Sequence, residues 1–217
     1  MATEKNWNEA LAPLLKKYKG KKHPLDYHST YQLLTMVLLS AQSSDKLIND
    51  IAPEFFKAFP SMEALEKAKP EDLQPYIRKV SGFWKKSEWL VKIGQEIKTD
   101  KKIPLDMKGL TALPGLGRKS ANVILRETGK KAEGVIVDLH VVRVAPRLGI
   151  AEGEDPKKIE KEIMGKIEPA SWGEIGMAIS FLGREICRPT DPKHDLCPVK
   201  GVCSYYAQIS KGKKASV

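Results

Sequence analysis

The stretch Leu113-Pro-Gly-Leu-Gly-Arg-Lys-Ser-Ala-Asn122 decides how this chain is read. Pro114, Gly115 and Gly117 break the backbone, and Ser120-Ala-Asn-Val-Ile-Leu125 then carries helical spacing, so a tight turn is expected to open straight into a helix. Such a turn aims several N–H groups at one point, backed by the positive end of the helix. That point suits a phosphate oxygen and reads no base. Lys119 lies just past the turn. A lysine gains nothing from the dipole at a helix start, which favours a chemical role over a surface one. An amine whose pKa is lowered by nearby positive charge and partial burial is a nucleophile, able to form a Schiff base with an electrophilic carbon. Asp138 follows within Val137-Asp-Leu-His140. It either accepts the amine's proton, stabilises positive charge developing on a sugar ring, or only caps a helix, and spacing does not separate these readings.

Composition narrows the partners of such a site. The chain has 217 residues, enough for one sizeable core or two small ones, and 41% of them are hydrophobic. Thirty-seven basic residues against twenty-seven acidic ones leave a formal charge of +10, which fits a polyanion such as nucleic acid or an anionic membrane surface. No apolar run approaches the roughly 18 residues of a membrane span, and Met1-Ala-Thr-Glu-Lys-Asn6 lacks the order of a secretory signal, so a soluble, intracellular protein is expected. Three cysteines between positions 187 and 203 argue for a metal site or plain thiols and against a disulfide framework.

The rest of the chain reads as helices. The first is expected from Asn6 to Tyr18 and ends in the basic run Lys16 to Lys22, a solvated helix end. Ser29 or Thr30 caps the next, whose Tyr31 to Leu39 is apolar nearly all round and therefore buried. The polar break Ser40-Ala-Gln-Ser-Ser-Asp45 precedes a helix from Lys46 to Phe59. Short helices follow, one begun by Ser61 and running through Met62–Lys67 and one begun by Pro70 and running through Leu73 to Arg78, then a loop at Ser81-Gly82 and a longer helix from Lys85 to Ile97. After Asp138 come helices over Leu139–Leu148, Asp155 to about Ile167, and Trp172–Ile186. No segment alternates as a strand does. The fold class is all-α.

These residues resemble a known family. Leu113 to Val123 followed by Val137 to His140 resembles the helix-hairpin-helix and Gly/Pro-Asp signature of base-excision DNA glycosylases. Val37-Leu-Leu-Ser-Ala-Gln-Ser-Ser-Asp45, Tyr76-Ile-Arg78 and the cysteine-bearing tail narrow the resemblance to endonuclease III, over nearly the whole chain. The resemblance implies a bifunctional enzyme acting on oxidised pyrimidines and abasic sites in double-stranded DNA. Lys119 would attack the sugar C1′ and expel the base, with β-elimination of the 3′ phosphate to follow, and Asp138 would assist base loss and activate the lysine. The backbone from Leu113 through Gly115 to Gly117 would hold a DNA phosphate, with a monovalent cation on its carbonyls, and Arg118 would contact phosphate or form a surface ion pair. Extruding a nucleotide costs a few kcal/mol that an inserted side chain offsets. Gln42 matches the family's gap-filling position, and Phe83 stands near its intercalating residue, with a place in the core as the alternative. His140 is left without a role.

The tail departs from the family pattern. Related enzymes carry a [4Fe–4S] cluster on Cys-x6-Cys-x2-Cys-x5-Cys, and the same register here gives Cys187, His194, Cys197 and Cys203. The expectation is a cluster with His194 as fourth ligand; Cys3His zinc or no metal are the rivals. The implied architecture is two helical lobes with a C-terminal metal-cluster loop, residues 23–133 forming one and residues 1–22 with 134–217 the other. The protein is expected to be a monomer, cytoplasmic and DNA-associated, at the nucleoid if bacterial or archaeal. A monofunctional glycosylase and a non-enzymatic helix-hairpin-helix DNA-binding module remain alternative readings.

Overall fold

The computed structural model describes residues 5–214, with side chains to residue 211. Every regular element among them is helical. In chain order the α-helices, with four short 3-10 turns besides, are α1 (Trp7–Tyr18), α2 (Thr30–Ser40), α3 (Asp45–Ala58), α4 (Met62–Lys67), α5 (Pro70–Ile77), α6 (Phe83–Ile97), α7 (Met107–Ala112), α8 (Arg118–Glu127), α9 (Leu139–Leu148), α10 (Pro156–Met164), α11 (Trp172–Glu185) and α12 (Ser204–Lys214). The chain divides into two compact units, one from Lys22 to Lys131 and the other from the residues up to Lys21 with those from Ala132 onward.

The Lys22–Lys131 unit is built around α2. Its Leu33, Leu34, Met36, Leu38 and Leu39 are each at most 2% exposed, and burying a leucine of this kind stabilises the fold by about 1.5–3 kcal/mol. Ser29 caps it, its side chain accepting from Gln32 N, and the Tyr31 hydroxyl donates to Phe59 O at 2.6 Å. Helices α3, α6 and α8 pack on α2, while α4 and α5 cover α6. The α4–α6 approach is close enough that a Cβ on Gly94 would stand 2.6 Å from Glu66 N and 2.7 Å from the Leu65 carbonyl carbon. Helix α6 begins at Phe83, two residues before the expected Lys85, because Gly82 takes the left-handed conformation (φ 66°) that redirects the chain there.

In the other unit α11 is the central helix, buried from Ile175 to Gly183, with α1 and α9 against it and α10 and α12 on α9. Asn6 caps α1, and Glu185 at the end of α11 accepts from the Tyr18 hydroxyl at 3.1 Å and pairs with Lys21. Helix α10 stops at Met164, before the expected Ile167, with Gly165 as its C-cap. No helix is long and apolar enough to cross a membrane among the described residues.

Gly94→Ala is expected to lower unfolding free energy by about 1–3 kcal/mol, since backbone atoms of α4 would have to give way. Urea denaturation measures it, and a midpoint equal to that of the parent chain would contradict the close α4–α6 approach.

Candidate DNA-processing site

The turn between α7 and α8 has the form expected of it. Asp106 caps α7 by accepting from Gly109 N at 2.8 Å, Leu116 N returns to Leu113 O at 3.3 Å, and Gly117 is the N-cap of α8. Leu113 and Leu116 are buried at 4% exposure each, which leaves the backbone between them to face outward. Gly115 is required twice over: its φ is +79°, and a Cβ there would lie 2.4 Å from the Trp89 ring. The first amides of α8 have no intrahelical carbonyl to bond, so the turn presents donors where an anion is favoured. Arg118 and Lys119 are the first two residues of α8, both exposed. The expected partial burial of Lys119 is therefore corrected: it lies on the solvent side of a helix whose buried face runs from Ala121 to Leu125.

Asp138 does cap a helix, and it does more. Its Oδ1 accepts from His140 N and Val141 N, both at 2.9 Å, which answers two orphan amides at the start of α9. Its Oδ2 accepts from the Ser180 hydroxyl of α11 at 2.6 Å and lies 3.6 Å from the Arg184 guanidinium, which also donates from Nε to Ser180 Oγ at 3.3 Å. Burial alone would raise the carboxyl pKa. The Ser180 hydrogen bond, the Val141 amide and the charges of His140 and Arg184 outweigh it and bring the group below the usual carboxylate value. The carboxylate is thus held ionised with 13% of its side chain exposed.

Gln42 lies in the loop after α2, and Phe83 is the first residue of α6. Gln42 is exposed and has φ 59°, a left-handed conformation that costs a non-glycine residue about 1–3 kcal/mol unless its surroundings fix it. Ser81 N donates to Ser43 Oγ at 3.0 Å, tying the loop before α6 to the loop after α2. Phe83 is half-buried and not part of the core; Trp84 lies on it with ring centroids 4.6 Å apart and is itself 62% exposed. Helical phase aligns Trp84 with the buried Ser87, Val91 and Gly94, so the sequence offered no sign that it faces solvent. Leu139, 70% exposed directly after Asp138, was equally unmarked.

Cys187, His194, Cys197 and Cys203 line one recess, together with Arg147, Lys193, Lys200 and Tyr205. Arg147 donates to Cys187 Sγ at 3.5 Å, Cys203 Sγ donates to Arg147 O at 3.3 Å, and the His194 ring lies 5.2 Å from that of Tyr206. Three thiols, an imidazole and a basic lining fit a group that binds thiolates and carries negative charge. No three His, Cys, Asp or Glu side chains among the described residues are arranged about a single metal ion. A four-iron cluster, in contrast, asks each protein ligand to hold a different iron.

Residues 35–169 match the model of the HhH-GPD superfamily base excision DNA repair proteins. The chain is 33% identical to the endonuclease III of Synechocystis over 94% of both chains, and 30% identical to that of Thermotoga maritima over 89% of this chain and 92% of the relative. Its fold is similar to a trapped endonuclease III–DNA covalent intermediate at a TM-score of 0.83, with 27% identity, covering 97% of this chain and all of that one. A thermostable thymine-DNA glycosylase has the same fold at a TM-score of 0.78 and 18% identity, covering 94% of this chain and all of that one, so the fold alone does not select the base removed.

Because the folded carboxyl of Asp138 lies below its unfolded value, its stabilising contribution is full above the unfolded pKa and is lost as pH falls through the folded one. Ser180→Ala removes the first of the interactions that lower it. Urea midpoints measured across the acid range are expected to show a smaller loss that is complete at higher pH than in the parent chain, its onset unchanged because the unfolded pKa sets it; superimposable profiles would contradict the assignment.

Proposed function

This chain belongs to the endonuclease III family of helix-hairpin-helix base-excision DNA repair proteins, and we propose that it is a bifunctional DNA glycosylase and abasic-site lyase whose nucleophile is Lys119. The observation that carries the reading is an exposed amine in the first turn of α8, immediately behind a glycine turn that opens the N-terminus of that helix, where backbone amides suit a phosphate. A glycosylase that activates only water has no use for an amine there. The Lys119 amine attacks C1′ of an extruded nucleotide through its free lone pair and the base departs with the electrons of the glycosidic bond; the nitrogen then loses a proton, the C1′–O4′ bond opens with O4′ taking up a proton, and in the resulting iminium loss of the acidified C2′ proton expels the 3′ phosphate by elimination. Asp138 offers a carboxylate kept ionised by Ser180 and Arg184, able to offset the positive charge that grows on the sugar as the base departs.

The substrates proposed are oxidised pyrimidines and abasic sites in double-stranded DNA. Phosphates would be held on the backbone from Leu113 to Gly117 with Arg118 beside it, Gln42 would fill the vacated gap, and Phe83 with the stacked Trp84 would part the neighbouring base pair. Cys187, His194, Cys197 and Cys203 would hold a [4Fe–4S] cluster. When bound, it supplies a cross-link that orders the loop from 187 to 203, and the reacting groups lie elsewhere in the chain.

Borohydride reduction during turnover separates the readings. On duplexes with thymine glycol or an abasic site the parent chain is expected to leave a covalent adduct, and Lys119→Ala none. Asp138→Asn, which keeps a side-chain oxygen to cap α9, is expected to slow base release by about 10²–10⁴-fold. Base release without any trapped adduct would select the monofunctional alternative, and tight binding without base release the non-enzymatic one. For the tail, iron and zinc analysis of the purified chain is expected to find iron with absorbance near ~400 nm, iron reduced in His194→Ala and retained in His194→Cys. A colourless zinc protein would overturn the cluster.

A further inference from the structure

Lys86 belongs to the first turns of α6, where the helix dipole disfavours a cation, and yet its side chain is buried at 4% exposure. Its ammonium donates to the carbonyl oxygens of Leu39 at 2.8 Å and Ala41 at 2.5 Å. Burial alone lowers its pKa to about 8, and no acidic group contributes to that shift. What compensates the charge is the far end of another helix. Helix α2 stops at Ser40, and the carbonyls of its last turn lack intrahelical donors and carry the negative end of the dipole. A glycine after the helix commonly solves this problem through its own backbone. Here the residue that turns left-handed is Gln42, at φ 59°, and the donor comes from 45 residues away in sequence.

The surroundings bracket Gln42 on both sides. Before it, Lys86 holds the Ala41 carbonyl; after it, Ser43 N returns to Ser40 O at 3.0 Å and Ser81 N donates to Ser43 Oγ at 3.0 Å. Both clamps, Lys86 and Ser81, come from the segment that carries Phe83 and Trp84, so the loop of Gln42 and the start of α6 share one anchor. We propose that Lys86 is a positioning residue for nucleotide extrusion: by gripping the Leu39 and Ala41 carbonyls it keeps Gln42 in the left-handed turn from which its amide enters the gap in duplex DNA. This rests on the gap-filling reading of Gln42. Lys86 touches no reacting atom, and its effect is confined to substrates in which a gap must be filled.

The test compares borohydride trapping on an abasic site in duplex DNA with trapping on the same strand alone, for the parent chain, Lys86→Met, Lys86→Arg, Gln42→Ala and the Lys86→Met/Gln42→Ala pair. Lys86→Met is expected to lower the duplex-to-single-strand ratio of rates by on the order of tenfold, with Lys86→Arg restoring most of it and the double variant no worse than Gln42→Ala. Equal losses on both DNAs, or losses that multiply in the double variant, would overturn the proposal. A normal ratio in Lys86→Met beside a lowered one in Gln42→Ala would overturn it while leaving Gln42 as the gap filler. A normal ratio in Gln42→Ala would remove the reading on which it rests. If Lys86→Met does not fold, Lys86→Gln, which keeps a donor for one carbonyl, carries the same comparison.

Discussion

Helix ends are the constraint on which this structure depends. Each terminus leaves backbone groups that the helix itself does not satisfy, and in a small helical unit some of those ends lie where water does not fully reach. In this chain three helix ends carry the residues of interest. The start of α8 presents amides behind Gly115 and Gly117, with Lys119 next to them. The start of α9 is closed by Asp138. The end of α2 is closed by an ammonium from α6. Capping and the proposed chemistry therefore draw on the same side chain: Asp138 serves as a cap through one oxygen and faces Ser180 and Arg184 through the other.

That economy explains the choice of residue at each place. An aspartate at the N-cap is stabilised as an anion by the dipole, so the cap that α9 needs also keeps a charge available at neutral pH. A lysine at the start of α8 receives no such help and stays in solvent, where it is free to reach a bound sugar. A lysine buried under the end of α2 is tolerated because two carbonyls and a helix dipole replace part of its hydration. On the proposed reading the same residue type is a nucleophile in one position and a clamp in the other, and what decides is the helix terminus beside it.

Much of the fold was legible in the sequence, because most helices announce themselves by caps and apolar stripes. Ser29 and Asp138 mark starts, and the nearly all apolar run from Tyr31 to Leu39 marks a core helix. Helix α12 was not anticipated: Ser204–Lys214 is polar and basic, and its helicity follows from its place against α9. In the candidate site the hairpin, Lys119 and Asp138 could be found from local motifs. The exposure of Trp84 could not, since its helical phase points to the core, nor could the Lys86 clamp, whose partners lie in a distant stretch of chain. Contacts of that kind are set by tertiary packing and leave no periodic trace.

The central claim is that one particular amine forms the covalent link to DNA, and proteolysis of a reduced adduct followed by mass spectrometry tests it most directly. A deoxyribose remnant on the peptide containing Lys119 is the result expected. The same remnant on the amino terminus, or on any other lysine with Lys119 unmodified, would contradict the account.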